Sequence, residues 1–192
     1  KGDRVTRLRT WLPCDEQPTN TVRREKALRE TARHWRDWSD RCEHQGKSRE
    51  AVLRSLITLK GLTYAPTGGI VAAATTSLPE EIGGVRNWDY RYCWLRDATF
   101  TLFALMGGGY LEEARSWREW LLRAVAGTPA QIRIMYGVRG ERRLDEYTVK
   151  WPTGYENSAT VRIGNAALNQ RPPAVYGAYV PATYPPPCFS VW

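Results

Sequence analysis

Apolar residues recur at helical spacing in two parts of the chain, separated by a stretch with no helical period. Between about residues 21 and 43, Leu28, Ala32, Trp35 and Cys42 fall on one stripe among charged neighbours, which predicts an amphipathic helix ended by Gly46. Ser48 is suited to cap a second helix reaching about Lys60, where Val52, Leu53, Leu56, Ile57 and Leu59 cover most of the circumference and Gly61 can stop the turn. Residues 62–97 are rich in Gly, Pro and Thr and read as extended or looped chain. A helix over about 97–106 is apolar nearly all round, which predicts a core position, and Gly107-Gly108-Gly109 terminates it. The following helix, about 111–126, carries Leu111, Ala114, Trp117, Leu121 and Val125 on one stripe and is expected to be outer and half-exposed. Residues 132–138 and 141–149 bracket Arg139-Gly140, predicting a small β-hairpin inserted between helices. A last helix is expected to start near Asn165 and to stop at Pro172-Pro173. A buried helix joined to an amphipathic one by a glycine turn points to two layers of helices.

Composition narrows the class. With 192 residues, 42% hydrophobic and 25% charged, the chain fits a folded globular domain rather than a disordered or fibrous one. Its longest apolar stretch, residues 100–106, is about a third of the roughly 20 residues needed to cross a bilayer, so no membrane partner is expected. Cys14, Cys42, Cys93 and Cys188 are far apart and form no C-x-x-C pair, which excludes a zinc or dithiol motif and suits a cytoplasmic setting. His34 and His44 are the two histidines, and both lie in or beside a charged helix, so neither a metal nor a histidine triad is expected. The net charge of +8 invites a nucleic-acid partner. Yet most of the excess sits in residues 1–60, where 15 basic side chains are interspersed with 9 acidic ones as on a solvated helix face, and no nucleic acid is expected.

The chemistry collects in the segment without helical period. In Asn87-Trp88-Asp89-Tyr90-Arg91-Tyr92-Cys93-Trp94-Leu95-Arg96-Asp97, four aromatics alternate at 88, 90, 92 and 94, so extended chain lines them along one face. Arg96 and Asp97 then set a guanidinium beside a carboxylate at the mouth of an apolar helix. Flat rings against C–H faces and planar donors paired with acceptors are what sugar recognition uses. The plainer reading has the aromatics filling core and Asp97 capping the helix. Against it, Asp89, Arg91, Arg96 and Asp97 are costly to bury in such a run unless every charge finds a partner.

Several further motifs make the pattern specific. Leu62-Thr63-Tyr64-Ala65-Pro66-Thr67-Gly68, Thr75-Thr76-Ser77-Leu78-Pro79-Glu80, the run from Gly83 to Asp97, Ile134-Met135-Tyr136-Gly137, Gly140-Glu141-Arg142 and Val161-Arg162-Ile163-Gly164-Asn165-Ala166 together resemble glycoside hydrolase family 15, the family of glucoamylases, glucodextranases and bacterial trehalases. The resemblance implies a mainly α fold, part of an (α/α)6 barrel or six-hairpin toroid with a small β-hairpin insertion and irregular loops. Residues 1–46 would be the exit of an N-terminal β-sandwich with its connecting helix, 47–170 the first half of the barrel, and 171–192 a divergent tail. It further implies an inverting, exo-acting α-glucosidase on trehalose or malto-oligosaccharides, without cofactor. By the same resemblance Arg96 and Asp97 hold hydroxyls of the glucose unit in subsite −1, Trp94 forms part of its wall, Tyr90 lies near the developing oxocarbenium charge, and Arg162 reaches the same cleft.

The general acid and base of the family are expected downstream of the Asn-Ala-Ala segment. Here residues 171–180 carry Ala174 and Ala178 where relatives tend to be acidic, and the final twelve residues resemble nothing in the family, so an incomplete chain with no catalytic residue of its own is expected. Glu80, Glu81, Asp89, Glu141, Asp145, Glu146 and Glu156 remain as carboxylates, none marked as a general acid by spacing. A non-catalytic carbohydrate-binding or interaction fragment is the rival reading. The oligomeric state is left open.

Overall fold

Helical spacing in the sequence becomes four α-helices among the described residues, and the stretches without it become short strands. The computed structural model describes residues 23–127 and 131–170, in a chain that divides into two compact units, 1–41 and 42–192. Of residues 1–46, expected to be the sandwich exit and its connecting helix, residues 1–22 lie outside the described residues, as does the tail from 171 onward.

In the first unit, α1 spans Arg24–Asp40. Its stripe lies further along than the spacing predicts: Leu28 is exposed, Trp35 is half-buried and Trp38 is buried. The rings of Trp35 and Trp38 meet edge to face at 6.1 Å. Ala32 is half-buried and Cys42 buried, as the stripe predicts.

The second unit holds α2 (Arg49–Gly61), α3 (Leu95–Gly107) and α4 (Leu111–Ala124). Ser48 occupies the N-cap position of α2 but its side chain makes no capping bond. Across the glycine turn α3 packs on α4, and α2 packs on α3. The Nζ of Lys60 pairs with Oε1 of the buried Glu113 at 2.9 Å, tying α2 to α4. The expectation that α3 is covered all round is corrected. Leu95, Ala98, Thr99, Leu102 and Leu105 are buried, whereas Phe100 is 68% exposed and Phe103 and Ala104 are also open. Apolar content says which faces avoid water, but α2, α4 and the strands cover only part of this circumference.

Between α3 and α4 and the strands lies a core of Ile70, Cys93, Leu102, Trp117, Trp120, Leu121 and Tyr136. Trp120 is anchored on two sides, its Nε1 donating to the carbonyl of Val138 at 2.8 Å and its ring meeting Tyr136 edge to face at 6.1 Å. A second cluster gathers Ile134, Met135, Leu144 and Leu168, with Tyr92 and Trp94 packed against it.

The strands pair antiparallel in twos. They are β1 (Thr63–Tyr64) with β2 (Gly69–Ile70), β3 (Thr76–Pro79) with β4 (Asn87–Asp89), β5 (Cys93–Trp94) with β6 (Met135–Tyr136), and β7 (Tyr147–Val149) with β8 (Val161–Ile163). This overturns the hairpin predicted around Arg139-Gly140. The turn forms, with the Gly137 N–H donating to the Glu141 carbonyl at 2.9 Å, but its two arms pair with distant partners, β5 and β8. Met135 and Tyr136 are fully buried against β5, and that burial outweighs the local ladder. The helix expected at Asn165 is a single 3-10 turn, Ala166–Asn169, which Asn165 caps by accepting from the Ala167 N–H at 3.0 Å.

Candidate functional site

The aromatic run is threaded between three neighbours. β3 lies along its start, the N–H groups of Ala72 and Ala73 donate to the carbonyls of Tyr92 and Tyr90 at 2.9 Å each, and β6 pairs with its end. Extended geometry sends alternate side chains to opposite faces, and the buried parity is Asn87, Asp89, Cys93 and Leu95. The expected shared face of the four rings does not form, because the chain is extended only at 87–89 and 93–94: Trp88, Tyr92 and Trp94 are half-buried, Tyr90 is exposed, and Tyr92 turns its hydroxyl onto the side of Asp89. Rings that pack on one side and open on the other can take a flat ligand.

Trp94 is the residue before α3, so Arg96 and Asp97 sit in the first helical turn. Asp97 is not the cap of that helix, and the Trp94 position makes no side-chain capping bond. Instead Nη2 of Arg96 donates to Oδ2 of Asp97 at 3.1 Å, with both side chains substantially open to solvent. Such an exposed pair adds little stability, of the order of 0–1 kcal/mol. It does present a planar donor and a planar acceptor side by side.

Arg162 arrives from β8. Its backbone is clamped to β3: its N–H donates to Ser77 Oγ at 2.7 Å, and its carbonyl accepts from Thr76 Oγ1 at 2.7 Å and Ser77 Oγ at 3.1 Å. Ser77 holds this role at φ 58, a backbone region unusual for a residue with a side chain. The guanidinium lies over the Trp88 ring, 4.8 Å from its centroid, and Nη1 donates to Glu146 Oε1 at 2.9 Å. The other carboxylate oxygen of Glu146 accepts from the Ala166 N–H at 3.2 Å.

Two of these groups keep an unused donor. Trp94 Nε1 and Arg162 Nε are both buried and have no hydrogen-bond partner among the described residues. A buried N–H left unpaired costs about 1–3 kcal/mol.

Asp89 joins the two halves. Fully buried, it takes Arg91 Nε at 2.9 Å on Oδ1, and Arg91 Nη2 at 2.8 Å and Tyr92 OH at 3.1 Å on Oδ2. The Gly164 N–H, two residues past Arg162, reaches the same Oδ2 at 3.2 Å. Burial pushes the Asp89 carboxyl up, but the hydrogen bonds and charge of Arg91 outweigh it and hold the group below its usual 3.8. Burial, with the charge of Asp89, pushes the Tyr92 phenol above its ordinary 10.0.

Of the five residues singled out in the sequence, Tyr90, Trp94, Arg96 and Asp97 thus follow one another along the β4–β5–α3 path, and the Asp89 network links Arg162 to it. A separate open groove of about 330 Å3 runs along the β7–β8 hairpin between Thr148 and Val161, and none of the five lines it. Sequence reasoning missed Asp89 as the link, Ser77 and Glu146 as braces, and Trp88 as the ring beneath Arg162. Alternation carried part of the signal for Asp89 by setting it opposite to its neighbour Trp88, but not the contact with the Tyr92 hydroxyl, which needs the break in the strand at 90–92.

Known proteins match most of this chain. The family described as "Glycosyl hydrolases family 15" matches residues 46–171. The chain is 40% identical over 188 residues to a "Trehalase" of Mycolicibacterium smegmatis, covering 96% of this chain and 28% of that protein. It is 38% identical to a "Trehalase" of Mycobacterium tuberculosis with the same coverage, and 40% identical over 157 residues to a "Trehalase" of Thermoplasma volcanium, covering 82% of this chain and 25% of that protein. No solved structure gives a significant match. The chain therefore spans little more than a quarter of the length of these relatives. Among the described residues, no helix is long and apolar enough to cross a membrane. With the family match covering most of the chain and the relatives agreeing with it, the chain belongs to glycosyl hydrolase family 15.

Proposed function

We propose that this chain supplies the glucose-binding wall of subsite −1 in a trehalose-hydrolysing glycosidase. Trp94 and Tyr90 offer ring faces, Arg96 and Asp97 bind adjacent hydroxyls as a donor and acceptor pair, and Arg162 donates from the β8 side. One observation carries the reading: the Arg96 guanidinium and Asp97 carboxylate, joined at 3.1 Å, stay open to solvent at the start of α3 directly after the half-buried Trp94 ring. That three relatives bear the name trehalase favours trehalose over malto-oligosaccharides as the substrate.

The helices would form the first part of an (α/α)6 barrel over residues 47–170, preceded by the connecting helix of an N-terminal sandwich. An open face on α3 supports this, since a closed ring of helices covers each inner helix on more sides than α2 and α4 do. In an inverting mechanism one carboxylic acid protonates the leaving oxygen while a carboxylate across the ring activates water, the two standing about 6.5–9.5 Å apart. Both are assigned to sequence beyond Gln170. This chain contributes orientation and hydroxyl binding, and by itself it would bind glucosides without cleaving them.

Calorimetric titration of the chain with trehalose, maltose and glucose tests the assignment. Saturable binding in the millimolar range is expected for trehalose, and Asp97→Ala should weaken it about ten-fold, the equivalent of one charge-assisted hydrogen bond. Unchanged affinity in that variant, or no heat with any of the sugars, refutes the site.

A further inference from the structure

Asp89 is a fully buried carboxylate that the proposed binding chemistry does not use. Its lone pairs are already taken. Oδ1 accepts from the backbone N–H of Arg91 at 3.1 Å and from Arg91 Nε at 2.9 Å, and Oδ2 from Arg91 Nη2, Tyr92 OH and the Gly164 N–H. With no capacity left for a ligand, the group can act only through what it holds.

What it holds is the spacing between two parts of the site. Tyr90 lies between Asp89 and Arg91, so the bonds of Arg91 to Asp89 pin the backbone on both sides of that ring. On the opposite segment, the Gly164 N–H donates to both Asp89 Oδ2 and the Tyr92 hydroxyl, the latter at 3.1 Å. The side chain of the next residue, Asn165, donates from Nδ2 to the Asp89 carbonyl at 3.1 Å. Acceptors on the side chain and on the backbone of Asp89 therefore bind consecutive residues 75 and 76 positions away, immediately beyond Arg162 and Ile163. Two bonds to consecutive residues fix direction as well as distance, which a single contact cannot do.

We infer that Asp89 is a positioning residue for the sugar, setting the segment of Tyr90 and Trp94 against the strand of Arg162 so that donors from both meet one glucose unit. The inference rests on the sugar-site reading above. Asparagine in its place keeps the shape but turns one acceptor into a donor, which must then face either Arg91 or the Tyr92–Gly164 pair.

The test is a trehalose titration of the full chain, read from the indole N–H signals in NMR spectra and accompanied by melting temperatures. Three proteins are compared well below their melting points: wild type, Asp89→Asn, and Glu113→Gln, which alters a buried ion pair between α2 and α4. Asp89→Asn should weaken trehalose binding about five-fold or more, while Glu113→Gln at a comparable loss of melting temperature keeps the wild-type affinity. Tyr92→Phe, which removes one hydroxyl from the Asp89–Gly164 bridge, should weaken binding about two-fold and serves in place of Asp89→Asn if that variant does not fold. Wild-type affinity in whichever of these two variants folds, or equal weakening in Glu113→Gln, overturns the inference, because affinity would then be independent of Asp89 or would merely follow stability. A wild-type chain with no response to trehalose removes the sugar site itself, and this inference with it.

Discussion

Replacing Gly164 with alanine should damage the chain at the point where its two binding segments meet. Gly164 sits at φ 82, a left-handed conformation that costs a residue with a side chain about 1–2 kcal/mol. A Cβ there would also run into the backbone carbonyl oxygen of Asp145. Backbone cannot swing aside as a side-chain end can, so the 163–165 segment must move, and the Gly164 N–H then leaves the buried Asp89 carboxylate at 3.2 Å. A hydrogen bond to a charged group contributes about 1.5–3 kcal/mol, which brings the expected loss to about 2.5–5 kcal/mol. For a protein of this size that is a fall in melting temperature of the order of 10 °C. Differential scanning fluorimetry on both proteins at pH 7 reads this directly. A drop smaller than about 2 °C would refute the reasoning, because it would mean that the segment relaxes without losing either term.

Other expectations follow from the core and from titration. Trp120→Ala empties a site that is 1% exposed and removes one of the two donors to the Val138 carbonyl, which keeps the Thr67 hydroxyl at 2.6 Å, so urea unfolding should register a loss of about 3–5 kcal/mol. Burial pushes the Cys93 thiol up to about 12, so iodoacetamide at pH 8 should leave the Cys93 peptide unlabelled in the native chain and label it after denaturation, as mass spectrometry would report. Because the Asp89 carboxyl is held below its unfolded value of 3.8, its contribution to stability is complete above about pH 4 and is lost as pH falls through the lower native value. Asp89→Asn should accordingly flatten the acid limb of the stability profile below pH 4, measured by urea titration at a series of pH values, and an unaltered limb would contradict the assignment.

Much of this molecule could be read from spacing alone. The helices at Arg49–Gly61, Leu95–Gly107 and Leu111–Ala124 appear within a few residues of where apolar period and glycine stops put them, because an amphipathic pattern and a chain breaker act locally. The motifs of the family were legible for a related reason: residue types at fixed spacing survive in the sequence whatever surrounds them. Alternation of the rings at 88, 90, 92 and 94 predicted one shared face, but the chain is extended only at 87–89 and 93–94, and Tyr92 turns its hydroxyl onto Asp89 Oδ2 at 3.1 Å.

Everything non-local had to come from the structure. The arms flanking Arg139-Gly140 look like a hairpin, yet Met135 and Tyr136 pair with Cys93 and Trp94 because burial beside the core gains more than a nearby ladder. The apolar circumference of α3 is plain in the sequence, but which side is covered depends on where α2 and α4 pack. Asp89, one charge among several in the run, becomes the link between segments 75 residues apart only when the fold closes that distance to hydrogen-bond length. Local pattern determines which groups are available and which way each points along its own strand or helix. Long-range packing decides which of them meet, since only the closed chain brings donors and acceptors from distant segments within reach.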